Sequence, residues 1–124
     1  MVQQGSIRQT QTQFDPILIE FLREKINTFV RWDLVRFFHD NPHAMDTADN
    51  VAHYTGRDVR SVEPELIGLV EAGVLQLHPA AKHQVFSLSP DPTIRDLINR
   101  FVLACDNRHF RVQAINEVVR RMRR

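Results

Sequence analysis

The chain has a single cysteine, Cys105, so no disulfide can form within it, and a reducing compartment, the cytoplasm, is the expected setting. It also lacks any apolar run approaching the ~18 residues that a membrane-spanning helix needs. Met1 to Thr12 is polar and Gln-rich and does not resemble a signal peptide. An excess of charge of one sign is missing too: 16 Lys and Arg stand against 15 Asp and Glu, a formal charge of +1. A nucleic-acid binder is usually announced by a strong basic excess, so any such role must rest on how the charge is distributed. There is no CxxC pair, no Gly-rich phosphate loop, no nucleophile elbow and no supported carboxylate pair. The chain is therefore expected to be neither an enzyme nor a metalloprotein, and no cofactor is implied. No internal repeat of 20–50 residues is visible.

What is present is an average globular composition, 43% hydrophobic and 25% charged, over 124 residues. That is enough for one domain with one core. The expected organisation is a polar tail over 1–13 and a single domain over 14–124, with its core in 30–90. Asp15-Pro16 supplies a helix cap and a proline at the first helical position. Phe14, Leu18, Phe21, Leu22, Ile26 and Phe29 then follow at helical spacing, predicting a helix to about Asn27 or Phe29. A second helix is predicted from Arg31 to His39, stopped by Asn41-Pro42. A short third helix is capped by Asp46 or Thr47 and ends at Gly56. A fourth, capped by Asp58, carries Val59, Val62, Leu66, Leu69 and Val70 on one stripe and closes at Gly73. Pro64 interrupts it, and leaves open whether the regular helix starts at Asp58 or only near the proline. Val74–Leu77 and Val85–Leu88 alternate as strands of a hairpin.

Beyond Ser89-Pro90-Asp91-Pro92, the residues Ile94, Ile98, Phe101, Cys105, Val112, Ile115, Val119 and Met122 recur at four-three spacing, with Arg108 in the one missing slot. A continuous helix there would be about 45 Å long at roughly 1.5 Å per residue. The alternative is a break at Asp106-Asn107, with the last segment folded back onto the first helix. From the continuous seam a homodimer is expected, with Ile98, Phe101, Val112, Ile115 and Val119 at its interface.

The stretch DTADNVAHYTGRDVRSVEPELIGLVEAGVL, Asp46 to Leu75, resembles the helix-turn-helix of bacterial winged-helix transcriptional regulators. Ala52 is the small residue of the first helix, Gly56 the turn glycine, and Leu66, Leu69 and Gly73 the closing pattern. The hairpin and final helix extend the likeness over roughly Phe21 to Arg120. FLREKINTF and His39-Asp40-Asn41-Pro42 resemble a little-characterised group of small bacterial proteins of this kind. The resemblance implies a mainly α fold with a small β-hairpin wing, extended by helices at both ends. It also implies duplex DNA as the partner, read by Arg57, Arg60 and Ser61 at the start of the fourth helix and by Lys82 in the wing.

Charge distribution keeps a second function open. Asp46 to Leu66 holds five acids (Asp46, Asp49, Asp58, Glu63, Glu65) and two arginines, a net of −3, and negative charge opposes phosphate. A winged-helix module that binds protein instead of DNA is the alternative. Basic charge collects in Asp106 to Arg124, where Arg108, Arg111, Arg120, Arg121, Arg123 and Arg124 face Asp106 and Glu117. That end either touches phosphate or is a solvated helix terminus favoured by the helix dipole. The aromatic group Phe29, Trp32, Phe37 and Phe38 is either ordinary core or the wall of a small-molecule pocket. His39 and His43 are four apart, but Pro42 ends the helix that would align them. Cys105 lies on an apolar seam, where a small buried hydrophobe is expected rather than a redox switch.

Overall fold

The computed structural model describes residues 15–79 and 82–123. The tail expected over 1–13, together with Phe14, two residues of the wing tip and Arg124, lies outside them. Among the described residues there are six helices and a small antiparallel sheet: α1 (Pro16–Lys25), α2 (Phe29–Asp40), β1 (Met45–Asp46), α3 (Ala48–Thr55), α4 (Val59–Glu71), β2 (Leu75–His78), β3 (Val85–Leu88), α5 (Pro92–Ala104) and α6 (Arg108–Met122). The strands run in the order β1-β3-β2. This arrangement is consistent with a winged-helix fold. No helix among the described residues is long and apolar enough to cross a membrane.

Local sequence sets the helix boundaries. Asp15, Thr28, Thr47, Asp58, Asp91 and Asn107 each cap a helix by accepting a backbone N–H of the first turn. Gly56 closes α3 at φ 70°, a left-handed conformation that a side chain would strain. Pro64 stands inside α4 without starting a new helix. It removes one N–H, the one that would have bonded the Arg60 carbonyl, and both residues face solvent, where water can serve that carbonyl. The hairpin pairs Leu75 with Leu88 and Leu77 with Phe86, so β2 begins one residue later than its alternation predicted. Strand β1 is a two-residue pairing of Met45 with Ser87 and Asp46 with Phe86, and no local pattern announces it.

The expected long C-terminal helix is broken. Cys105 to Asn107 form a turn, and the Asn107 side chain accepts from the Phe110 N–H at 3.1 Å to start α6. Arg111 donates to the Cys105 carbonyl at 2.9 Å, satisfying an acceptor left free at the end of α5. Helix α6 then packs on α1, but not through the face that the four-three spacing selects. Phe110, Ala114 and Val118, at steps of four, are the buried residues. Val112, Ile115 and Met122 are exposed.

This break corrects the expected interface. Ile98 and Phe101 are buried in the core of their own chain, where α5 packs on α1 and α2. They are not available to a second copy. The aromatic group divides likewise. Trp32 meets Phe101 edge-on at 5.3 Å and Phe29 at 6.1 Å, whereas Phe37, partly buried against Phe38, stacks on exposed Tyr54 at 5.7 Å. The space beside Trp32, Phe101 and Cys105 is only about 10 Å³, too small for anything beyond one water.

One partly buried polar strut joins α2 to α4. Arg31 donates to Glu65 at 2.9 Å and to the Lys25 carbonyl at 3.2 Å, and its guanidinium lies over Gly68. Lys25 in turn donates to the Ala72 carbonyl at 2.7 Å, fastening the end of α1 to the end of α4.

Burial pushes the Cys105 thiol up from 9.0 to about 11, with Arg36 and Arg111 pulling weakly the other way and Asp106 adding to the rise. The folded state thus holds this proton more tightly than the unfolded chain does. Its contribution to stability is complete below about pH 9 and is lost as pH rises toward about 11. Thiol labelling at pH 8 is expected to be slow and limited by opening of the fold; labelling as fast as in urea would show that Cys105 is accessible.

Candidate nucleic-acid interface

Helix α4 follows α3 through a short turn, Gly56 to Asp58, and exposes its first turn. The turn is tight because Gly56 takes the left-handed conformation and the Arg57 N–H donates to the Ala52 carbonyl at 3.0 Å. The Asp58 carboxylate caps the helix through the Arg60 N–H at 2.9 Å. Val62, Leu66 and Leu69 bury the opposite side of α4, so its polar side is turned outward.

Of the residues expected to contact DNA, Arg60 and Ser61 are on this outward side and Arg57 is in the turn before it, but the two arginines are engaged. Arg57 reaches back to Asp33 on α2 at 2.7 Å and retains 32% of its side-chain exposure. Arg60 folds onto the carboxylate of its own cap, Asp58, at 2.9 Å, and is 88% exposed. That guanidinium, together with the Arg60 N–H, holds the Asp58 carboxyl below the usual carboxylate range. Ser61 is exposed on the same turn. Lys82 stands across a cleft of about 180 Å³ whose lining includes Thr47 and Asp49 at the start of α3, Glu63 of α4, and His83. The first turn of α3, the middle of α4 and the wing therefore border one cleft, with acids on the helices and a lysine on the wing.

Sequence reasoning missed Asp33. Nothing local to it signals that it will meet a residue 24 positions away. The dual part played by Asp58 was half visible, as a cap but not as the partner of Arg60.

Among the described residues, no group of three or more His, Cys, Asp or Glu is placed to hold a metal ion. His39 instead bonds Asp40 at 3.0 Å and Asn99 at 3.2 Å, tying the end of α2 to α5. A second basic surface lies where α6 meets α1. Arg23, Arg120 and Arg121 line an open groove of about 330 Å³ around Glu117, which pairs with Arg23 at 3.4 Å and with Arg120 at 3.8 Å.

No protein-family model matches the chain, and no curated protein matches it either. Among solved structures, its fold is similar to that of a "Possible transcriptional regulator from Methanosarcina mazei Go1", at 16% identity and a TM-score of 0.55, over 80% of this chain and 84% of that one.

Proposed function

We propose that the chain is a winged-helix transcriptional regulator that acts by binding duplex DNA through the first turn of α4 and the wing. The observation that carries this reading is the convergence of α3, α4 and the wing on one cleft, lined by Asp49, Glu63 and Lys82, while the first turn of the same α4 leaves Arg60 and Ser61 exposed. A recognition helix works by entering the major groove with its N-terminal residues near base edges, while the preceding helix braces it on the backbone. The solved structure of similar fold, described as a possible transcriptional regulator, supports the same reading. The ion pairs at Arg57 and Arg60 do not oppose it strongly. Both are at least partly in solvent, where such pairs are weak and phosphate can replace the carboxylate.

A second reading, a winged-helix module that binds protein, is favoured by those same carboxylates. Asp33 and Asp58 pair with the arginines, Glu63 lines the cleft with Lys82, and all three would stand close to phosphate. Titration of a labelled random duplex against salt separates the two. Under the DNA reading the logarithm of affinity falls linearly with the logarithm of salt. Arg57→Ala with Arg60→Ala lowers that slope by about 2, since each lost phosphate contact removes roughly 0.9. Asp33→Asn, which removes a repelling charge and frees Arg57, tightens binding. Absence of duplex binding at low salt would leave the protein-binding module standing.

A further inference from the structure

Two surfaces of this chain leave apolar side chains in solvent, and their charges are opposite. The first is the outward face of α6. Val112, Ile115, Val119 and Met122 follow one another at steps of three and four, on a different side from the buried Phe110, Ala114 and Val118. Val112 is 47% and Ile115 38% exposed. Arg108 and Arg123 run along the same face, and among the described residues neither has a carboxylate partner; Arg111, beside them, is tied to the Cys105 carbonyl at 2.9 Å. Residues 108–123 hold five arginines and one acid, Glu117, which Arg23 and Arg120 already occupy.

The second surface is a groove of about 420 Å³ lined by Phe37, Asn41, Ala44, Asp46 and Tyr54. Tyr54 is 65% exposed and lies almost parallel to Phe37, with the rings 15° apart; Met45 is exposed beside Ala44. Asp46 is the one charged residue in its lining, and no lysine or arginine is among the residues that form it. Asp40 is engaged with Arg36 and His39, whereas Asp46 accepts only from Asn50.

We propose that these surfaces are two halves of one contact, in which α6 of one copy seats its Val112–Ile115–Met122 face in the Phe37–Tyr54 groove of another. Charge selects this pairing over the symmetric one. Packing α6 against α6 of a second copy would set arginine against arginine with no free carboxylate between them. The groove offers Asp46, and an aromatic face on which a guanidinium can stack. The contact is heterologous, because each copy uses a different patch, and every pair keeps one free helix and one free groove. Helix α6 is 15 residues long, and a single helix face buries less than the ~800 Å² per partner of a standard interface, so association is transient and is weakened by salt.

Light scattering over about 10 to about 500 µM, the range in which a small interface of this kind assembles, provides the test. The mass is expected to rise from 14.5 kDa with concentration, and to rise less at high salt. Ile115→Asp places an acid against the acidic groove, and Tyr54→Lys places a cation against the arginines, so each variant alone stays at the single-chain mass. An equimolar mixture regains association, because Tyr54→Lys supplies an intact α6 and Ile115→Asp an intact groove. A symmetric dimer gives the reverse pattern: Tyr54→Lys still self-associates and mixing rescues nothing. That result, or a wild-type mass that stays at 14.5 kDa throughout, overturns the proposal. Both positions are exposed, and thermal melts establish that the variants fold; Met122→Asp and Met45→Lys serve as a second pair.

Discussion

Replacing Phe101 by alanine is expected to cost about 3–5 kcal/mol, enough to unfold a marginally stable domain of this size at moderate urea. The ring is buried and meets three others edge-on: Phe21 at 6.4 Å, Trp32 at 5.3 Å and Phe110 at 6.1 Å. Those partners belong to α1, α2 and α6, and Phe101 itself to α5, so one side chain joins four helices. Burial supplies most of the loss, and each favourable aromatic pair adds about 0.5–1.5 kcal/mol beyond it. Urea unfolding followed by tryptophan fluorescence reports directly, because Trp32 is the chain's one tryptophan and touches the deleted ring. A loss below about 1 kcal/mol would mean that the four helices are held together elsewhere.

Leu66→Ala and Leu69→Ala are each expected to destabilise the fold by about 2–5 kcal/mol. Both side chains are fully buried, on the side of α4 that faces the neighbouring helices α2 and α3 and strand β2. Ile67, between them in sequence, is only partly buried, and its replacement by alanine should cost clearly less. That ordering is the sharper test, since it depends on which side of α4 faces inward. Equal losses at 66, 67 and 69, or a loss under about half a kilocalorie at Leu66, would show the helix to be rotated.

The order of the helices, the hairpin and the glycine turn were all legible, because each rests on side chains that act on their own backbone. A capping carboxylate or hydroxyl, a proline at a first helical position and a left-handed glycine need no distant partner. The last third of the chain was harder to read for a specific reason. The outward stripe of α6 happens to continue the four-three phase of the core stripe of α5, so two helices with different inward faces read as one. The true core face of α6 passed unnoticed because its middle member is Ala114, too small to mark a stripe. The break itself was written in Asp106-Asn107, yet the uninterrupted spacing argued against it.

The candidate interface was legible in position but not in state. Arg57, Arg60 and Ser61 are on the exposed turn expected of them, since cap and turn place them there. That Arg57 would meet Asp33 follows only from how α2 crosses α4, which no local pattern encodes. The same holds for the Phe37–Tyr54 groove. Both residues read as helix positions, and only the packing of α2 beside α3 brings the two rings into one stack.

Gly68 looks like a place where the sequence could improve at no cost, since glycine inside a helix is about 1 kcal/mol worse than alanine. The change is not free, because a methyl group at 68 would meet the guanidinium of Arg31, which must swing aside and give up its bonds to Glu65 and the Lys25 carbonyl. The two positions are therefore coupled in descent: the helical gain at residue 68 is offset by the bonds Arg31 gives up, and is larger in a lineage that has already shortened residue 31.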